Sequence, residues 1–463
     1  MNKAIVIATL LLCSLFSATA QIQVKSKIID KETKKAIPFA NISIAETTKG
    51  TISNKEGDFQ LYISTSGLNT RVLVSSLGYQ TVSIHPKKIG EVIKLIPVTY
   101  DISEVKVSAS KLMSDPKKIL KECMKAAPNF KPNQPYINKG FLRQTHLLNK
   151  KYVKLIEAAL LTYSTPNESR SKVHIVEKRN TYDNREIDSK HLSFFKNWDS
   201  MRRKKAQREA ETFTPNKEEL LELIQGADEE KNSICDLIQL ETAYEANIKS
   251  LRYNLNVLYK NKYTQFKLDT ILDRNGEAVY KIKILPTPKT LKNGVIIDLG
   301  HLLVSAKDFA LYELKFARVQ NPNLKDKRLI GFTNLFSSNF TLKYKRYKEK
   351  LYPTYYKSHR RDFTGMSSDL KNQIQQKKYP RISRELLFTE IIEDVDKITN
   401  TIPKKWNDKL YQPSEYHPEF WENYNILLET KDEAKLRTDL EGESNMQEQY
   451  QHSTDSVQIN RVN

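Results

Sequence analysis

Apolar and polar residues alternate with a period of two along most of this chain, the mark of strands that bury one face and wet the other. The first runs are short: Gln23 to Ile29, Ala40 to Ala45, Asp58 to Ile63, Arg71 to Ser75, Tyr79 to His85 and Glu91 to Ile96. Lys49-Gly50 and Glu56-Gly57-Asp58 punctuate them as tight turns, since glycine reaches positive φ without a Cβ clash. This spacing predicts an all-β sandwich over residues 22–108. A linking helix within 109–130 follows, capped by Ser114 or Asp115, with Pro116 in its first turn. Its apolar face carries Ile119, Leu120, Cys123, Met124 and Ala127, and Pro128 ends it.

Longer alternating runs come next: Tyr136 to Leu148, Lys151 to Tyr163, Ser171 to Arg179, Tyr263 to Leu272, Ala278 to Leu285, Gly294 to Leu299, Phe309 to Val319, Asn339 to Tyr347 and Ile382 to Ile392. Asn149-Lys150 and Asp273-Arg274-Asn275-Gly276 suit hairpin turns, although Glu157-Ala158-Ala159 also leaves the second run open to a helical reading. These runs predict an antiparallel β-rich domain over 131–428, a large curved sheet or open half-barrel with a few helices. A helical insertion is expected near 185–250, with Ile187 to Trp198 and Lys217 to Ile224 helical and Met201 to Glu211 strongly charged. Pro403 to Tyr411 and Glu415 to Trp421 form an aromatic segment expected on the sheet edge, and 429–463 reads as a polar, disordered tail. The fold class is mainly β: an all-β sandwich followed by an α+β region.

An ordered series of residues in the first domain carries a resemblance. Asp30, Thr33, Ile37-Pro38-Phe39-Ala40-Asn41-Ile42, Lys49-Gly50-Thr51, Asn54-Lys55-Glu56-Gly57-Asp58-Phe59, Ser75-Ser76-Leu77-Gly78-Tyr79 and Glu104-Val105-Lys106-Val107 together resemble the carboxypeptidase regulatory-like domain, a transthyretin-like β-sandwich. Asn54 stands where that family usually has an aspartate, and a turn accepts either. The resemblance implies a non-catalytic module of exported Gram-negative proteins, including outer-membrane transporters driven by TonB. This chain lacks the repeated amphipathic strands of such a transporter's barrel. The run from Tyr280 to Val319 is similar in strand pattern to the half-barrel of periplasmic lipoprotein carriers, a likeness of topology and not of motif.

Residues 1–20 have the three parts of a cleavable signal peptide: Lys3, an apolar run from Ala4 to Phe16, and the small residues Ala18-Thr19-Ala20. Cys13 raises lipidation as an alternative, but Leu12 before it is not the small residue such a site needs. Beyond the leader, Cys123 and Cys235 remain, too few for a disulfide framework; a buried thiol at Cys123 is favoured over a bridge. The net charge of +20 owes only Lys3 to the leader. For an exported chain such charge points to acidic glycans, phosphorylated lipid surfaces or envelope proteins as partners, with nucleic acid disfavoured.

Catalytic motifs are weak. His174-Ile175-Val176-Glu177 has the His-x-x-Glu spacing of zinc carboxypeptidases, with His301 far downstream, but in an alternating run positions three apart face opposite ways unless the strand breaks. No serine-hydrolase elbow, phosphate loop, dinucleotide fingerprint or calcium loop is present, so no catalytic, metal or cofactor residue is nominated and no cofactor is expected. The binding candidate is the basic-aromatic stretch Lys343, Tyr344, Lys345, Arg346, Tyr347 and Lys348, continued by Arg360 and Arg361, as a surface for polyanions; the competing reading is a half-exposed edge strand protected by its lysines. Arg202-Arg203-Lys204-Lys205 would add to that surface. The expectation is a non-enzymatic binding or scaffold protein of the periplasm or the periplasmic face of an outer membrane. A carrier of a lipid or other apolar ligand in a curved-sheet pocket is the alternative, and a hydrolase of glycan or peptide ranks third.

Overall fold

A computed structural model describes residues 21–64, 69–98, 112–148, 150–166, 171–182, 187–188, 255–256, 258–294, 296–321, 338–361, 381–411, 414–442, 444–451 and 459–460. The expected leader, Cys235 and the Arg202–Lys205 cluster lie outside them, as does nearly all of the expected insertion. The chain divides into two units, 1–97 with 418–428 and 98–417 with 429–463.

The first unit holds β1 (Gln21–Asp30), β2 (Asn41–Ile44), β3 (Gly50–Ile52), β4 (Asp58–Ser64), β5 (Val72–Ser75), β6 (Val82–Ile84) and β7 (Val92–Leu95). They form a three-stranded sheet, β4-β1-β7, and a four-stranded one, β3-β2-β5-β6. The inward positions of both sheets share one core of Ile28, Ile42, Phe59, Leu61, Ile63, Val72, Val74 and Leu95, as alternation requires. Asn54 Oδ1 accepts from the backbone N–H of Glu56 and of Asp58, both at 2.9 Å, and Gly57 completes the turn at φ 82°. Lys49-Gly50 was expected as a turn, but Gly50 opens β3. It approaches its neighbour so closely that a Cβ would lie 2.4 Å from the Ile42 carbonyl oxygen, so glycine is required by contact.

Residues 418–428 belong to this unit, which corrects the expected end of the second domain at 428. Asn425 Oδ1 accepts from Tyr62 N at 2.9 Å, Tyr62 Oη donates to the Glu422 carbonyl, and Asn54 Nδ2 donates to the Leu428 carbonyl at 3.4 Å. The segment therefore covers the outer edge of β4, and the last of these bonds needs the amide that an aspartate lacks.

The second unit opens with helix α1 (Pro116–Ala126), where Asp115 Oδ1 accepts from Lys117 N and Lys118 N as expected of the cap. Ten strands follow in one antiparallel sheet: β8 (Tyr136–Leu148), β9 (Lys151–Ser164), β10 (Lys172–Asn180), β12 (Thr264–Arg274), β13 (Glu277–Pro286), β14 (Ile296–Ser305), β15 (Leu311–Gln320), β16 (Ser338–Tyr347), β17 (Lys350–Arg361) and β18 (Arg381–Ile392). Their order is β10-β9-β8-β18-β17-β16-β15-β14-β13-β12, so two meanders meet where β18 lies beside β8. Ile187–Asp188, expected to begin a helix, is strand β11 and pairs with β19 (Ile459–Asn460).

Further along the chain lie helices α2 (Pro288–Asn293), α3 (Val395–Thr401), α4 (Pro418–Glu422, in the first unit), α5 (Lys431–Leu440) and α6 (Met446–Gln451). The last two replace part of the expected disordered tail: Leu436, Leu440, Met446 and Tyr450 close on Leu155 of β9. As expected, the aromatic segment seals a sheet edge: Ile175 N on β10 donates to the Asn407 carbonyl at 2.7 Å. Among the described residues, no helix is long and apolar enough to cross a membrane.

Candidate functional site: the open polar face of the sheet

Pairing register assigns each residue of the large sheet to one of two faces. One face is apolar. Leu142, Ile282, Leu302, Leu314 and Leu386 on it are at most 1% exposed, covered by the chain's own atoms, and the segment leading into α1 is tied there by Met113 N donating to Tyr280 Oη at 2.9 Å.

The other face is polar. One row of directly opposed residues crosses all ten strands: Arg179, Glu157, Arg143, Glu385, Lys357, Thr341, Lys315, His301, Lys283 and Lys267. Signs alternate over the first five, the arrangement that opposed side chains favour. Arg143 and Arg179 each donate Nε–H to Glu157 at 2.7 Å, and Lys357 and Tyr355 both donate to Glu385. Burial would raise the Glu157 carboxyl, but the two guanidiniums outweigh it and hold it below the usual carboxylate range. Burial opposes Lys357, Tyr355 and Arg143 at Glu385 with the same outcome. Helices α3, α5 and α6 lie over this part of the face, with Glu433 of α5 3.7 Å from Arg143.

Over β12 to β15 the row stops alternating. Lys267, Lys283, His301 and Lys315 stand opposite one another on successive strands. Asp269, at a bulge in β12, holds Lys283 at 2.5 Å and Lys281 at 3.3 Å. Glu313 takes His301 at 3.0 Å and Lys343 at 3.3 Å, which overcome its burial and bring its carboxyl down to about 2. Five lysines thus share two carboxylates here, and Lys267 and Lys315 are exposed with no acidic partner among the described residues. Strands stand about 4.8 Å apart, so the row from Lys267 to Lys315 extends over about 15 Å.

The expected basic-aromatic stretch lies elsewhere in character. β16 is an interior strand, flanked by β15 and β17, which corrects the edge-strand reading. Arg346 forks onto Asp308 at 2.6 and 2.9 Å and meets Glu349 at 3.0 Å, and the Asp308 bonds hold it protonated. Lys348 pairs with Glu393 at 2.8 Å. Tyr344 is buried, Tyr347 packs on Tyr352, and burial brings the Lys345 ammonium down to about 8 against the pull of Glu390. Arg360 and Arg361 lie on β17. Lys343, paired with Glu313, lies on the open part of the polar face. The aligned lysines were missed because each occupies an ordinary polar position of its own strand; only register brings them into line.

The strand argument against a shared metal at His174 and Glu177 also changes. A bulge between Ile175 and Glu177 puts both residues on the polar face. His174 Nδ1 accepts from Asn407 N at 3.2 Å, and Glu177 pairs with His417 at 2.8 Å. Among the described residues no group of three His, Cys, Asp or Glu side chains is placed to hold a metal ion. Cys123 is fully buried on α1, and burial pushes its thiol up to about 12.

Residues 24–107 match the CarboxypepD_reg-like domain, which accounts for the first-unit sandwich. No curated protein matches the chain. Among solved structures it is similar to a LolA superfamily protein from Nitrosomonas europaea, at 12% identity over 60% of this chain and 96% of that one, with a TM-score of 0.22. It is also similar to a DUF1329 family protein from Desulfovibrio piger, at 8% identity over 61% and 95% of the two chains, with a TM-score of 0.22. A third is a putative outer membrane lipoprotein-sorting protein domain from Vibrio parahaemolyticus, at 10% identity over 63% and 96%, with a TM-score of 0.21. At such scores nothing about binding passes from those proteins to this chain.

Proposed function

We propose that this protein, with its CarboxypepD_reg-like domain at residues 24–107, is a non-enzymatic binding protein of a Gram-negative cell envelope that holds an acidic polymer on the open part of its polar sheet face. The row Lys267, Lys283, His301 and Lys315 carries this reading. Lys267 stands directly opposite Lys283, like charges so placed disfavour each other, and an anionic chain laid across the strands relieves that repulsion. The same strands bury apolar residues on their other face, so the cations are held in place by a packed sheet. The envelope location rests on the leader and on the sandwich behind it. The lipid-carrier reading stands second, because the apolar face is filled by the chain's own atoms.

Titrating the purified chain with polygalacturonate tests this directly. Binding is expected to weaken steeply between about 50 mM and about 500 mM NaCl, as screening of exposed charges requires. It is expected to fall at least tenfold in a Lys283→Glu/Lys315→Glu variant, and uncharged dextran is expected not to bind. Equal binding by that variant contradicts the proposal.

A further inference from the structure

A second surface lies at one end of the sheet, where the turn before β12 meets helix α2. Its two exposed apolar residues are Tyr263, 57% exposed, and Leu291, 41% exposed. The loops that carry them are joined through the backbone: Thr287 N, at the cap of α2, donates to the Tyr263 carbonyl at 3.0 Å. Lys260, Lys262, Lys289 and Lys292 flank them in sequence, all exposed, and residues 258–263 and 287–294 contain no carboxylate. The Lys262 ammonium lies 5.3 Å from the centre of the Tyr263 ring.

This end is rigidly built. Asn321 Nδ2 donates to the carbonyls of Leu291 at 2.9 Å and Gly294 at 2.7 Å, closing the C-terminal end of α2. Asn261 holds the other loop, accepting from Tyr263 N at 3.0 Å and donating to Asp298 at 3.1 Å. Asp298 is itself paired with Arg318 at 2.8 Å, so it does not offset the lysines. Two exposed apolar side chains thus stand among exposed lysines, on loops fixed by side-chain hydrogen bonds.

We propose that this end of the sheet docks on an anionic lipid bilayer. A tyrosine and a leucine enter the interfacial layer while four lysines meet lipid phosphates, their methylene stems lying along the apolar patch. Charge complementarity fixes the choice of partner: each lysine near an anionic surface strengthens binding about fivefold, and a shallow aromatic residue favours the headgroup region. Contact of this kind is peripheral and sensitive to salt. It does not rest on the acidic-polymer reading, which uses other residues.

Cosedimentation of the full chain with large vesicles tests it. Vesicles of phosphatidylcholine with about one-third phosphatidylglycerol are expected to bind the protein, and pure phosphatidylcholine vesicles are expected not to. Lys262→Glu/Lys289→Glu and, separately, Tyr263→Ala/Leu291→Ser are expected to lower vesicle binding at least tenfold, with polygalacturonate binding and the thermal unfolding midpoint unchanged. The Lys283→Glu/Lys315→Glu variant is expected to keep most vesicle binding while losing the polymer. Three results would overturn the proposal: no binding to the anionic vesicles, full binding by both end variants, or loss of polymer and vesicles together from the end variants.

Discussion

Glu157 sets the terms at the scale of single residues. Its carboxylate and the Arg143 guanidinium are each 2% exposed, and neither charge would be tolerated there without the other. Glu157→Gln leaves Arg143 and Arg179 without their shared counter-charge. A loss of about 3–5 kcal/mol in urea unfolding at neutral pH is expected. The pH dependence has a definite sign. Glu157, Glu385 and Glu313 are all held below their ordinary 4.5 in the folded state, Glu313 at about 2. Their stabilisation is full above that ordinary value and is lost as pH falls through the folded values. Unfolding free energies measured between pH 7 and pH 3 should therefore fall on the acid side, less steeply in Glu157→Gln.

Elements were legible where their hydrophobic pattern was self-sufficient. Tyr136–Leu148 matches its expected limits, and the neighbouring strands begin or end within a few residues of theirs. β17 was not among the expected strands; the turn that leads into it from β16 is Lys348-Glu349 and carries no glycine or asparagine to announce a hairpin. Both residues nevertheless hold positive φ, 45° and 60°. Lys348→Asn/Glu349→Gly places residues suited to that turn, and a gain of about 1 kcal/mol in urea unfolding is expected. Helices α5 and α6 were hidden by their mostly polar composition, yet Leu436 and Leu440 lie one helical turn apart and both are buried. Leu436→Ala should cost about 2–5 kcal/mol; a change below about 0.5 kcal/mol would mean that α5 does not hold this place.

At the scale of the molecule, the order of the strands gives the polar face its meaning. Lys267, Lys283 and Lys315 lie on three different strands, and a chain pattern with period two says only that each points away from the apolar side. The meeting of β18 with β8 carries the alternating charges from one meander into the other, setting Glu385 opposite Arg143, and no local signal announces it. The sandwich was legible because its turns carry Asn54 and Gly57 at fixed places, whereas the return of 418–428 to β4 depends on contacts hundreds of residues apart in sequence. An acidic chain seated on the open half of the row would shield its lysines, which lysine acetylation read by mass spectrometry, with and without saturating polygalacturonate, detects. Protection is expected at Lys267, Lys283 and Lys315, with Lys118 and Lys348 labelled as before. Unchanged labelling of the row, or equal protection of every exposed lysine, would rule out binding there.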